Sequence, residues 1–231
     1  MKKIILAAIL LLLVAGTAHA EQTISFISVG DTLQGVDGNT TSWSSSNFYT
    51  ANLQQSSWSL LGGSADVYGL RGLQLYDLSH RGTRGLGVWG RENDEIDSYE
   101  SPESIVIAFD QPYYLNSFEV RSLFYEPNLW TSGIEEGNVA FLLGTSVVGQ
   151  QHLTGTENIQ TAGTLGVNSF SYANPYIIDK VIFYVPWGQS YTSGSEFAVA
   201  KLGVTAVPEP IGTILFITGG TILAVRRLRR R

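Results

Sequence analysis

The chain has no cysteine, one methionine and three histidines among its 231 residues. Without thiols there is no disulfide framework, so core packing alone must hold any fold that works outside the cell. Thiolate zinc sites, iron–sulfur clusters and cysteine nucleophiles are excluded by the same absence. His19 falls in the apolar N-terminal stretch, which leaves His80 and His152, both in polar surroundings. Neither is accompanied by a G-x-S-x-G elbow, so surface histidines are a plainer reading than a Ser-His-Asp site. H-E-x-x-H, P-loop and G-x-G-x-x-G patterns are missing as well. Positive charge is scarce where it would matter for a partner. Residues 21–209 hold seven basic against 20 acidic side chains, a net charge of −13, although the whole chain carries only −6. Such a body repels phosphate, which argues against nucleic acid and anionic surfaces. It suits an extracellular protein, or one that collects divalent cations.

Also lacking from residues 21–205 is any helix-period stretch of useful length. Short alternating runs take its place. "ISFISV" sets Ile24 and Phe26 on one face, "SIVIAF" is almost wholly apolar, and "IIDKVIFYV" and "FAVAKLGV" read as the last two strands. "NVAFLLGTSVVGQ" reads as a hairpin turning at Gly144-Thr145-Ser146. Turn signals separate the runs, among them Asp110-Gln111-Pro112, Glu126-Pro127-Asn128, Glu136-Gly137-Asn138, Asn174-Pro175 and Pro186-Trp187-Gly188. Residues 40–59 are rich in serine, threonine and asparagine and read as a long loop with one weak strand. Many short strands without helices predict an all-β, antiparallel β-sandwich or jelly-roll-like body.

What is present at the two ends is of another kind. Lys2 and Lys3, the apolar residues 4–14 and the Ala18-His19-Ala20 site form a signal-peptide pattern over residues 1–20. Residues 206–231 contain Pro208-Glu209-Pro210, an uncharged run at 211–225, and Arg226, Arg227, Arg229, Arg230 and Arg231. As a helix the run would reach about 22 Å at about 1.5 Å per residue, short of the roughly 30 Å hydrocarbon core. The arginines would stay on the cytoplasmic side and stop transfer there. Pro208 and Pro210 keep the preceding residues extended and accessible to a processing enzyme.

This tail resembles the PEP-CTERM sorting signal of exported bacterial proteins, in its three elements and their order. The resemblance covers about the last 25 residues. It implies an exosortase as partner, an inner-membrane-anchored precursor, and a cell-surface or extracellular destination in an exopolysaccharide or biofilm setting. A plain membrane anchor is the alternative that physics alone would allow. The body is also similar, more loosely, to other exported proteins with this tail, through residues 85–88, 94–97, 105–109 and 197–204. That likeness implies no activity.

Within the body, Trp130 and Trp187 lie in loop-like stretches, where an indole can stack on the apolar face of a sugar ring, with an indole folded back as a plug over the sandwich end as the plainer reading. Asp94, Glu95 and Asp97 crowd a turn with oxygen ligands of the kind Ca²⁺ accepts, with a solvated acidic turn as the plainer reading. The function read from these features is that of an exported, non-enzymatic surface or matrix protein, with exopolysaccharide as a ligand candidate. An alternative comes from residues 95–100, which resemble the E-I-D-x-x-E strand of laminarinase-like glycoside hydrolases. That resemblance implies Glu95 as nucleophile, Glu100 as acid/base and Asp97 tuning the pair. The chain departs from the pattern at Ser98 and Pro102, and offers only Trp89 upstream.

Overall fold

In the computed structural model, the described residues are 20–29, 32–36, 41–42, 55–60, 63–69, 73–78, 83–88, 96, 103–125, 133–158, 166–186, 195–207 and 227. Two units can be distinguished. Glu21–Ala206 is a dense body, and Met1–Ala20 with Val207–Arg231 forms the other unit, of which only Ala20, Val207 and Arg227 are described. Among its described residues the body contains strands and connections and no helix.

The strands are β1 (Gln22–Val29), β2 (Thr32–Val36), β3 (Thr41–Ser42), β4 (Gln55–Leu60), β5 (Gly63–Gly69), β6 (Leu73–Leu78), β7 (Thr83–Val88), β8 (Ser104–Arg121), β9 (Phe124–Tyr125), β10 (Glu136–Leu143), β11 (Ser146–Thr154), β12 (Glu157–Asn158), β13 (Asn168–Tyr184) and β14 (Ala198–Ala206). All pairings are antiparallel except β9 with β12. The two longest strands, β8 with 18 residues and β13 with 17, each serve both layers of a sandwich. The first half of β8 lies between β5 and the end of β13. Its second half lies between β14 and the start of β13. One layer therefore runs β4-β5-β8-β13-β10-β11. The other is centred on β8 and β14, which carries β1 along Lys201–Val204 and meets β7 at Val199.

Alternation decides which side chains enter the core. In β8, Ile105, Ile107 and Phe109 are buried, then Tyr113 and Leu115, and after a one-residue slip at Asn116, Phe118 and Val120. Phe118 closes the space between the layers. Its ring lies 5.7 Å from that of Phe183 and 6.1 Å from that of Phe141, both edge-on and both on the opposite layer. Ile24 and Phe26 of β1 and Leu202 and Val204 of β14 complete the same core. Fully burying each such side chain stabilises the fold by about 1.5–3 kcal/mol.

Three expected turns lie inside strands, and one of them, Glu136-Gly137-Asn138, opens β10, where all three residues pair with β11. Asp110-Gln111-Pro112 is where β8 passes from one layer to the other, with Asp110 and Pro112 exposed. No strand claims a backbone donor from Pro112 at this corner, so its missing N–H costs nothing. The Asp110 carboxylate accepts bonds from Ser64 N at 2.9 Å and Ser64 Oγ at 3.2 Å and ties the corner to β5. Asn174-Pro175 belongs to a bulge in β13, where residues 172–175 stand opposite Asn116 alone. The long loop expected at 40–59 is also shortened, since Gln55–Leu60 pairs with β5. The hairpin expected at 144–146 is present, with Gly144 at φ +63° and Ser146 already in β11.

Candidate functional site

The outward face of the β5-β8-β13-β10-β11 layer follows from period two and register. Val139, Phe141, Val181, Phe183, Ile105 and Ile107 point inward and are fully buried. Their neighbours in sequence must point the other way. One row across this face is His152–Asn138–Tyr184–Ser104, contributed by β11, β10, β13 and β8 in turn. The next row is Gln150–Ala140–Ile182–Val106. Beyond it lie Lys180, Ala108 and Asp66. Tyr184, Ile182 and Val106 are half-buried and Ala140 between them is buried, so the face has an apolar centre with partial access to solvent.

Hydrogen bonds fix the polar rim. Asn138 Oδ1 lies 3.2 Å from His152 Nδ1, and Glu136 Oε1 lies 3.8 Å from His152 Nε2. Glu136 stands two residues before Asn138, on the same face of β10, with its side chain about one-third exposed at 34% and that of His152 at 54%. Its own backbone N–H donates to Ser195 Oγ at 2.8 Å, which anchors the start of β10. A phenol ring on a flat apolar patch, rimmed by an amide, an imidazole, a carboxylate and a hydroxyl, suits a ligand that is apolar on one side and hydroxylated at its edge. Ser104 is three strand steps from His152, about 14 Å at about 4.8 Å per step, so this pair is no nucleophile and base.

Of the residues singled out in the sequence, Trp130, Trp187, Asp94, Glu95, Asp97 and Glu100 lie outside the described residues. The described residues that bound their segments do belong to the same end of the layer. Segment 126–132 lies between Tyr125 and Gly133, just before Glu136, and segment 187–194 between Pro186 and Ser195, just after Tyr184. Segment 97–102 lies between Ile96 and Glu103, just before Ser104, and Ile96 is held by paired backbone bonds to Phe197 at 2.8 and 3.3 Å. Among the described residues no group of three or more acidic or histidine side chains is arranged to hold a metal ion. None of their helices is long and apolar enough to cross a membrane, and residues 211–225 lie outside them. Pro208, Glu209, Pro210, Arg226, Arg229, Arg230 and Arg231 are likewise outside, and Arg227 is exposed.

Tyr184 carries no local signal of a site in the sequence, and Glu136 and Asn138 read there as a turn, Glu136-Gly137-Asn138, whereas the structure places them at the start of β10. Alternation in "EGNV" does place Glu136 and Asn138 on one face. What brings Tyr184 beside them is the β10–β13 register, which no local pattern reports.

No known protein family and no curated protein matches this chain. Among solved structures, the fold search returns the X-ray structure of a GH31 CBM32-2 bound to GalNAc, 12% identical over 54% of this chain and 76% of that one, with a TM-score of 0.27. It also returns CBM32-3 from a family 31 glycoside hydrolase of Clostridium perfringens, 16% identical over 71% of this chain and 97% of that one, again with a TM-score of 0.27. At that level of superposition any reading of a ligand has to come from this chain's own surface.

Proposed function

We propose that the chain is an exported, non-enzymatic surface or matrix protein whose β-sandwich body binds polysaccharide on the outward face around Tyr184. The observation that carries this reading is the His152–Asn138–Tyr184–Ser104 row, an aromatic ring set among hydrogen-bonding groups on an outward sheet face. Trp130 and Trp187 are further stacking candidates, in segments whose bounding residues adjoin this end. Delivery is the work of the tail. The signal peptide exports the body, residues 211–225 hold the precursor at the inner membrane with the arginine cluster inside, and an exosortase acts near Pro208-Glu209-Pro210. The mature protein is then left at the surface or in the extracellular matrix. The acidic turn at Asp94, Glu95 and Asp97 takes Ca²⁺ weakly, as an adjunct to the body.

The test is retention of the mature secreted protein on insoluble polysaccharides, compared with Tyr184→Ala. Retention of the natural protein and its loss in the variant, at unchanged melting temperature, is the expected result. No retention on any polysaccharide would remove the reading. Hydrolysis of β-glucan, abolished by Glu95→Gln, would replace it with the jelly-roll glycoside hydrolase.

A further inference from the structure

We infer that the preferred ligand is a cationic polysaccharide, a polymer of amino sugars with free ammonium groups. The inference rests on the polysaccharide reading above and names the class of sugar. Its starting point is Glu136. This carboxylate lies on the same face as Asn138 and Tyr184, is one-third exposed, and among the described residues has as its ion-pair partner the imidazole of His152 at 3.8 Å, which is charged only when protonated. Lys180 is the cation of this face among the described residues. It sits four residues along β13 from Tyr184, about 13 Å away, and shares its row with Asp66. Among the described residues, the formal charge beside the tyrosine is therefore that of Glu136.

A bound sugar would cover Glu136 and strip water from it. A neutral ring offers hydroxyls but no countercharge, so the carboxylate loses hydration without full return. A uronate or sulfate ester adds repulsion, both from Glu136 and from the body, residues 21–206, of net charge −12. An ammonium group reverses both terms. It donates charge-assisted bonds to Glu136 Oε1 or Oε2, and has Asn138 Oδ1 one alternation step away as a second acceptor. The C–H face of the same or the next sugar then lies on the Tyr184 ring. The acidic body raises the local concentration of such a polymer and speeds its capture.

The experiment measures retention of the full mature protein on chitosan, on fully N-acetylated chitin, on dextran and on alginate, between 50 and 500 mM salt. Retention on chitosan is expected to exceed that on chitin by tenfold or more and to weaken with salt. Glu136→Gln should lower it about five- to tenfold with no change in melting temperature. Asp110→Asn makes the same change of charge at the far corner of β8, where the amide keeps an acceptor for Ser64, and should leave retention unaltered. Equal effects of the two variants would show diffuse attraction to a polycation and overturn the inference. Tyr184-dependent retention on chitin, dextran or alginate at least equal to that on chitosan would also overturn it, while leaving the polysaccharide reading in place. Retention on none of the four polymers would end both.

Discussion

Gly137 and Phe197 are in direct apposition. A Cβ placed on the glycine would stand 2.5 Å from Cε1 of the fully buried phenylalanine ring. Phe197 also exchanges backbone bonds with Ile96, so the ring has little room to retreat. Gly137→Ala should therefore overpack this spot and cost about 1–3 kcal/mol. Urea unfolding of the variant would show the loss as a lower midpoint at unchanged slope. An unchanged midpoint would mean that Phe197 moves freely.

Tyr172 carries a hydroxyl that is buried without a hydrogen-bond partner. Its ring is packed edge-on against Tyr176 at 5.1 Å and Phe141 at 5.7 Å. Burial, and secondarily the neighbouring Tyr176, raise its pKa well above the ordinary tyrosine value of 10.0. The unfolded chain thus releases this proton near pH 10 while the folded chain keeps it. Stability from this group is complete below pH 10 and falls as pH rises above it. Tyr172→Phe should leave stability at pH 7 unchanged or slightly higher, because an orphaned hydroxyl is removed. It should also flatten the alkaline decline. Tyr113, whose pKa burial raises likewise, retains part of that decline. Denaturation midpoints at pH 7 and pH 11 decide the matter.

Glu119 holds two cations on the outer face of β8 and β14. It accepts from Arg121 Nε at 2.8 Å and from Lys201 Nζ at 3.0 Å, with the Glu119 and Arg121 side chains 14% and 12% exposed. Glu119→Gln leaves both cations without a countercharge, at a cost of about 1–3 kcal/mol. Glu119→Gln combined with Lys201→Met should recover part of this. Thermal melts of the two variants test the order.

Glu209→Ala should impair removal of the tail, since the processing enzyme would lose the charged residue between Pro208 and Pro210. Intact mass of the surface-located product reads the outcome. An arginine cluster still present on the natural mature protein would contradict the processing scheme. On the proposed sorting scheme, neutralising Arg226, Arg227, Arg229, Arg230 and Arg231 should misplace or release the precursor, because the charge asymmetry that would stop transfer is gone. Membrane fractionation would detect it.

Trp130→Ala and Trp187→Ala should each weaken polysaccharide retention by about 5–12-fold, in proportion to about 1–1.5 kcal/mol of aromatic stacking. A drop in melting temperature without any change in retention would instead assign these indoles to packing.

Much of the body could be read from local pattern. Alternation in "ISFISV" marks Ile24 and Phe26 as core, and both are almost completely buried. Gly144 marks the hairpin because its backbone has φ +63°, a conformation glycine adopts without strain. The signals that misled were turn-forming residues: Glu136-Gly137-Asn138 reads as a turn yet opens β10, and two prolines misled in the same way. Pro112 and Pro175 read as strand breakers, yet one sits at a corner where no ladder bond is needed and the other in a bulge. A proline reports that its own N–H makes no bond. Whether that ends a strand or only bends it depends on what lies alongside.

The sequence alone determined the all-β character of the body, most of its inward-facing residues and its charge, because each of these is set by a residue and its near neighbours in the chain. The meeting of Tyr184 with Asn138, His152 and Ser104 was decided only by tertiary structure. Asn138 and His152 share one hairpin, but Tyr184 and Ser104 come from strands far away in the chain, and their register is set by inward neighbours such as Phe183, Val139 and Ile105, each of which has to find its place in one shared core.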